Sequence, residues 1–263
     1  DVDFGNNSVI DYGDAPDTYD LAGEASHGIV AGLFMGAGVD AEVAAQSGAN
    51  ADGDNNSDID DEDGVTFTTQ LVAGTVASVA IEISASDVSR GVIQAWVDFD
   101  ANGVFDADER IIPDGEVVAG TNTFTFPVPA DAQLGNTYAR FRYGYERGLG
   151  PNGPAQAGEV EDYLIPVQTD QPLAVNDRIE VDVNSGFNPL LVMANDIQSS
   201  TPPNTVVGVD SGGAADGLVQ IAPGGTHILY KPALGDTDGD TFDYTIHDGA
   251  GNPSVATVTI VHL

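Results

Sequence analysis

The sequence contains no cysteine and a single lysine, Lys231. Without cysteine there are no disulfide bonds and no thiolate chemistry, so in an extracellular setting metal ions are expected to do the stapling. Bases are scarce altogether: 7 stand against 42 acids, a formal net charge of −35 over 263 residues. A chain this anionic is not expected to bind nucleic acid or an anionic membrane through charge. No run of 18 apolar residues occurs, so no membrane insertion is expected. The first residues, Asp1-Val2-Asp3-Phe4, do not read as a signal peptide, and a mature or excised secreted fragment is expected to look the same.

Catalytic signatures are missing too. The four histidines, His27, His227, His247 and His262, are scattered without metal-ligand spacing, and no Ser-His-Asp set or nucleophile elbow can be drawn. Carboxylate pairs are so numerous that count alone does not exclude a glycosidase pair. A catalytic acid, however, needs an apolar pocket to raise its pKa, and these acids sit in Asp-Gly loops. The expectation is a protein that is not an enzyme.

Aspartate is abundant, 32 residues against 10 glutamates. Two unit charges 4 Å apart cost about 4 kcal/mol at an effective dielectric near 20, so clustered carboxylates need a metal, protons or open water. High charge suits disorder, but 41 % hydrophobic content supports a folded core.

The apolar residues alternate as β-strands require. Ala77, Val79, Ile81 and Ile83 form one series. Others are Ile93, Ala95, Val97 and Phe99; Phe124, Phe126 and Val128; Ala139, Phe141 and Tyr143; and Tyr163, Ile165 and Val167. After Gln168-Thr169-Asp170-Gln171-Pro172 the pattern restarts, from Ile179, Val181 and Val183 to Ala256, Val258 and Ile260. Long helical patterns are absent; a brief helix around Ala41 to Gln46 is the one candidate, and residues 1–10 read as a loose leader or a first strand. The expected architecture is all-β, two tandem β-sandwich domains over residues 1–168 and 173–263. The second has the size and strand number of an immunoglobulin- or cadherin-like domain.

One stretch carries a chemical pattern. Asp98-Phe99-Asp100-Ala101-Asn102-Gly103-Val104-Phe105-Asp106-Ala107-Asp108-Glu109 reads D-x-D-x-N-G, five residues, then Glu, which is the calcium-loop spacing. Asp98, Asp100 and Asn102 offer hard oxygens at alternate residues, Gly103 allows the turn, Val104 gives a carbonyl, Asp106 adds a ligand directly or through water, and Glu109 closes the shell with both oxygens. The upstream alternation is that of a strand, so this is a calcium loop on a β-scaffold. A second acidic loop spans Asn50 to Gly64, where Asp52, Asp54, Asn56, Asp58, Asp60 and Glu62 alternate; one calcium ion, or two, is expected there.

Other groups leave two readings open. Asp11, Asp14 and Asp17 share an ion with Glu159, Glu161 and Asp162 if the terminal strands pair, or Arg140 and Arg142 neutralise them. Asp177, Asn195, Asp196 and Asp248 could gather at one end of the second domain, and Asp236, Asp238 and Asp240 alternate in what is either a site or a turn. Trp96 is a core or rim aromatic or a stacking platform for sugar; Tyr143 and Tyr145 form the best exposed aromatic spot.

Six separated blocks occur in the order of a known module. They are Asp11-Tyr12-Gly13-Asp14-Ala15-Pro16-Asp17, Ala49 to Asp54, Asp60 to Val65, Ala95 to Phe99, Tyr138 to Arg142, and Gly158-Glu159-Val160-Glu161-Asp162-Tyr163. Residues 11–167 thereby resemble the GEVEDY domain of bacterial secreted and surface proteins. Residues 174–263 resemble the cadherin-like, VCBS-type immunoglobulin-like repeats of bacterial adhesins, through Ala174-Val175-Asn176-Asp177, Val192 to Asp196, Tyr230-Lys231-Pro232 and Asp240 to Gly249. The segment Ser199 to Asn204 departs from that pattern, where such repeats often carry further acids. The resemblances imply an extracellular structural or adhesive role, often calcium-dependent, in a bacterial surface protein. The partners expected are calcium, neighbouring copies or domains of the surface protein, and glycans. Two alternatives stand beside this: a self-assembling subunit of a filament or surface layer that adds a strand to its neighbour, and a carbohydrate-binding module.

Overall fold

A computed structural model describes residues 9–53, 61–85, 91–210 and 216–263. The chain divides into two compact units, Asp1–Val167 and Gln168–Leu263. Both are all-β, with only short 3-10 turns among the described residues.

The first unit contains β1 (Ile10–Tyr12), β2 (Ser26–Gly28), β3 (Leu33–Met35), β4 (Val65–Phe67), β5 (Leu71–Val72), β6 (Val76–Ala85), β7 (Gly91–Val97), β8 (Arg110–Val117), β9 (Gly120–Pro127), β10 (Gly135–Gly144), β11 (Pro154–Ala155) and β12 (Gly158–Gln168). Five strands pair in the order β5-β12-β10-β7-β8. Strands β3 and β4 pair with successive parts of β6, which also pairs with β9. These two sheets form a sandwich. Its core sets Val79, Ile81 and Ile83 of β6 and Phe126 of β9 with Ile93, Ala95 and Val97 of β7 and Phe141 of β10, the period-2 faces that the sequence alternation marks.

A third sheet, β1-β2-β11, comes from early and late chain segments. Strand β7 is buried on both faces, and its outer face explains why. Trp96 packs there with Ala15, Tyr19 and Phe105. Trp96 is 2 % exposed and has the Arg110 guanidinium 5.2 Å from its ring centroid. It is a core residue and offers no stacking platform. The stretch Ala41 to Gln46 forms no helix; Glu42 instead makes a bridge to Ile10, because a tertiary partner outweighs weak local propensity.

On the same outer face Arg140 lies opposite both Trp96 and Asp162, and Arg142 opposite Gln94 and Val160. Both arginines are fully buried. Arg140 grips Asp162 through two parallel 2.7 Å bonds and Asp20 through a third of 2.7 Å. Arg142 donates to the carbonyls of Gly150 and Gly153 at 2.8 and 2.7 Å, and its Nε donates to His27 Nε2 at 3.1 Å. His27 is therefore the neutral tautomer whose Nδ1–H donates to the Ala157 carbonyl, 3.2 Å away.

The second unit contains β13 (Asp177–Val181), β14 (Asn188–Leu190), β15 (Thr205–Asp210), β16 (Leu218–Ile221), β17 (Ile228–Lys231), β18 (Thr241–His247) and β19 (Pro253–His262). A four-stranded sheet, β13-β19-β18-β15, and a three-stranded sheet, β14-β17-β16, enclose Leu190, Ile228, Tyr230, Phe242, Tyr244, Ile246, Val258 and Ile260. The apolar run Leu190 to Met193 divides into the end of β14 and a 3-10 turn over Val192–Ala194. Thr169 and Leu173 bridge to Ser199 and Ile197, so the stretch after β12 is held to this unit.

Two measurements check this arrangement. Phe141 is fully buried and meets Phe67 and Tyr163 edge-on, both with centroids at 6.0 Å; Phe141→Ala should destabilise the first unit by about 3–5 kcal/mol in urea unfolding. His27 is pushed down to about 3 by burial and by the Arg142 charge. The unfolded chain takes up that proton near pH 6.5 and the folded chain does not, so stability is full above about pH 6.5 and lost as pH falls towards 3. Between pH 7.5 and 5.5 wild type should lose about 1.4 kcal/mol relative to His27→Gln; equal losses would refute the neutral assignment.

Candidate metal centre

Strand β7 delivers its last residue, Val97, directly into the loop that begins with Asp98. Asp98 is fully buried, Asp100 is exposed, and Glu109 is 6 % exposed. One oxygen from each lies within 4.8 Å of the others. The chain reverses here because Ala101 and Gly103 adopt left-handed φ angles of 54° and 84°, and glycine takes that conformation without steric cost.

The loop's own N–H groups hold the carboxylates in place. Asp98 Oδ1 accepts from the Asn102 amide at 3.2 Å, and Asp98 Oδ2 accepts from the Gly103 amide at 2.9 Å and the Tyr19 hydroxyl at 2.6 Å. Glu109 Oε1 accepts from the Phe99 and Asp100 amides at 2.6 and 3.3 Å, and Oε2 accepts from Asp106 at 2.9 Å. The side-chain amide of Asn102 donates to Asp100 and Asp106 at 3.1 and 3.0 Å. The Val104 amide donates to Asn102 Oδ1 at 2.8 Å. A carboxylate has about four acceptor positions, so these bonds position the oxygens and leave lone pairs for a cation. The donor set is entirely hard oxygen, which suits calcium or magnesium and not a thiolate- or imidazole-seeking metal. Burial pushes the Glu109 carboxyl up, opposed by its backbone N–H donors.

The structure thus brings Asp98, Asp100 and Glu109 together, with Asn102 and Asp106 hydrogen-bonded in the same loop and Val104 at its exposed turn. Tyr19, 79 residues away in sequence, is the contributor that no local pattern indicated. In the second acidic loop, Asp54, Asn56, Asp58 and Asp60 lie outside the described residues. Asp52 is half-buried and accepts from Asn50 at 3.2 Å; Glu62 is half-buried close to Tyr163. Among the described residues neither joins a group of three potential ligands.

The acids at the two ends of the first unit part company. Asp162 goes to Arg140. Glu159 and Glu161 lie opposite Tyr143 and Phe141, on the core side of the sheet. There Glu159 Oε2 accepts from the Met35 amide, and Glu161 accepts from the Gly64 amide at 3.0 Å and the Tyr163 hydroxyl at 2.7 Å. Burial raises the Glu161 carboxyl to about 8.

In the second unit, Tyr244 Oη donates to Asp196 at 2.8 Å, and Asp177 is raised to about 6 by burial and by Asp196. Asp248 belongs to another set, accepting from Ser199, Thr201 and Asn252 at 2.7, 2.8 and 3.0 Å. Asp240 accepts from the Asp216 and Gly217 amides at 2.8 and 3.0 Å and from Tyr230. The expected aromatic spot does not form: Tyr145 is 49 % exposed but Tyr143 is fully buried, because its strand turns that position to the core.

Residues 92–166 match the GEVED domain family, and residues 169–261 match a bacterial Ig domain family. No curated protein matches the chain. Among solved structures, it is similar to Sidekick-1 immunoglobulin domains 1–4, at 10 % identity over 76 % of this chain and 48 % of that one, with a TM-score of 0.32. It is also similar to the IG1+IG2 fragment of DIP-gamma, at 10 % identity over 76 % and 98 %, TM-score 0.33. A third is Drosophila N-cadherin EC1-4, at 15 % identity over 76 % and 50 %, TM-score 0.31. The chain spans about half the length of the Sidekick-1 and N-cadherin fragments. Likenesses this distant carry no conclusion about ligand or partner.

Proposed function

We propose, for a chain that joins a GEVED domain to a bacterial Ig domain, that it is a calcium-stabilised structural or adhesive module of an extracellular bacterial surface protein. The observation that carries this reading is the convergence of Asp98, Asp100 and Glu109 within 4.8 Å, in a loop whose spacing and whose turn at Gly103 suit calcium. Asp98, Asp100, Asn102, Val104, Asp106 and Glu109 are the residues that would hold the ion. What the ion supplies is charge neutralisation and a cross-link between the end of β7 and the 3-10 turn at Ala107–Glu109.

The rest of the chain agrees with a mechanical role. The two units are sandwiches with separate cores, as rigid modules in series require. With 42 acids against 7 bases, the protein has few cations of its own. Calcium outside cells is near millimolar, and sites with dissociation constants of about 10⁻⁴ to 10⁻³ M would be filled there. The partners this reading names are calcium and neighbouring domains or copies of the surface protein.

A tenfold excess of calcium over the dissociation constant stabilises the folded state by about 1.4 kcal/mol, so chelation should lower the melting temperature by roughly 3–6 °C. Asp100→Ala and Glu109→Ala should each shrink that response. A melt unchanged by chelator, or an unchanged response in both variants, would reject the calcium role.

A further inference from the structure

Three acids far apart in sequence meet inside the first unit. Asp11 lies on β1, Glu42 follows β3, and Asp61 precedes β4. One carboxylate oxygen of each lies within 4.8 Å of the others, and they are 1 %, 9 % and 4 % exposed. Backbone bonds assemble the group. The Glu42 amide donates to the Ile10 carbonyl at 2.9 Å, and the Tyr12 amide returns a 2.8 Å bond to Glu42 Oε2. The Asp40 amide donates to Asp61 Oδ2 at 3.1 Å. The Val160 amide donates to Asp11 Oδ2 at 2.6 Å, which anchors the group on β12.

The residue before that anchor supplies an independent sign of a ligand. Glu159 is fully buried, and only its Oε2 is engaged, by the Met35 amide. Glu159 Oε1 has no hydrogen-bond partner. Glu159 is buried close to Glu161, Asp11 and Asp61. A buried carboxylate oxygen left open beside further carboxylates calls for a positive partner unless a proton neutralises it. Neither buried arginine supplies one: Arg140 is committed to Asp162 and Asp20, and Arg142 to carbonyls and His27. Among the described residues, Asp11, Glu42 and Glu159 take part in no ion pair.

We propose that Asp11, Glu42 and Asp61 are ligands of a buried calcium ion, with the open oxygen of Glu159 completing the carboxylate set. The ligands are all hard oxygens, and oxygens no more than 4.8 Å apart can share one centre at a calcium–oxygen distance of roughly 2.4 Å. Magnesium would need a tighter octahedral shell and would keep its waters. The site is separate from the loop at Asp98, and it does not depend on that loop being a calcium site. Its work is different as well. It clamps β1, the segment after β3 and the turn before β4 onto β12, so three pieces that precede the matched span of residues 92–166 are fastened to the Gly158 to Tyr163 motif.

The test uses the whole chain, stripped with chelator and returned to calcium or to magnesium alone. Bound ions are counted by native mass spectrometry in an Asp100→Ala background, and in that background with Glu42→Gln or Asp61→Asn added. Each added substitution should remove one further calcium per chain, and magnesium alone should not replace it. In parallel, amide hydrogen exchange is followed at Tyr12 and Val160, whose acceptors are the proposed ligands. In the Asp100→Ala background, calcium should slow both amides at least tenfold, and Glu42→Gln should abolish the slowing. If the ion count and the calcium-dependent protection survive both substitutions, the site is refuted. Equal protection in chelator and calcium refutes it on the unsubstituted chain, whether or not a variant folds. A Glu42→Gln chain that binds the same ions but melts higher would show a cluster neutralised by protons, which also overturns the proposal. Because the background already lacks Asp100, failure here leaves the loop reading untouched.

Discussion

Acids inside this protein are held mainly by backbone N–H groups, and the architecture depends on that. With so few bases available, the chain turns its amides towards carboxylates: Met35 and Gly64 towards the motif glutamates, Val160 towards Asp11, Ala15 towards Asp162, Phe99 and Asp106 towards Glu109. Each such bond also satisfies an amide that a sheet edge or loop would otherwise leave unpaired. Strand ends and loops are therefore where this fold is fixed, and the two apolar cores supply the bulk burial between them.

Strand β12 shows the constraint most plainly. Its alternation places Asp162 on the outer face with Arg140 and sends Glu159 and Glu161 to the inner face. Each face solves the charge differently. Outside, a guanidinium forks onto Asp162 beneath a cover of Ala15, Tyr19 and Phe105. Inside, the glutamates reach to the end of β3 and the residue before β4 and fasten the two sheets of the sandwich together.

Much of the architecture was legible because period-2 alternation is a local signal. The series through Val79, Phe126, Phe141, Phe242 and Val258 all became core strands. The convergence of Asp98, Asp100 and Glu109 is local in the same way, since the spacing is complete within twelve residues. What no local signal carries is long-range. Nothing near Tyr19 says that its hydroxyl meets Asp98. Glu42 lies in a stretch that resembles a weak helix, and its place is set by long-range bonds, the bridge to Ile10 and the Tyr12 amide on its carboxylate. Tyr143 and Tyr145 look equivalent in sequence, yet the first lies on the core face of β10 and the second lies beyond the strand's end.

The cover over the outer face of β7 and β10 has a bearing on what counts as the folding unit. The family match begins at Val92, but Ala15, Tyr19, Asp20 and His27 all come earlier and complete the surroundings of Trp96, Arg140 and Arg142. A polypeptide trimmed to the recognised motif would bare an indole and two guanidinium groups to water and strip the sandwich of its lining. The heritable signature is narrower than the object that must fold, and anyone excising this module should cut by its wrapping, not by its motif.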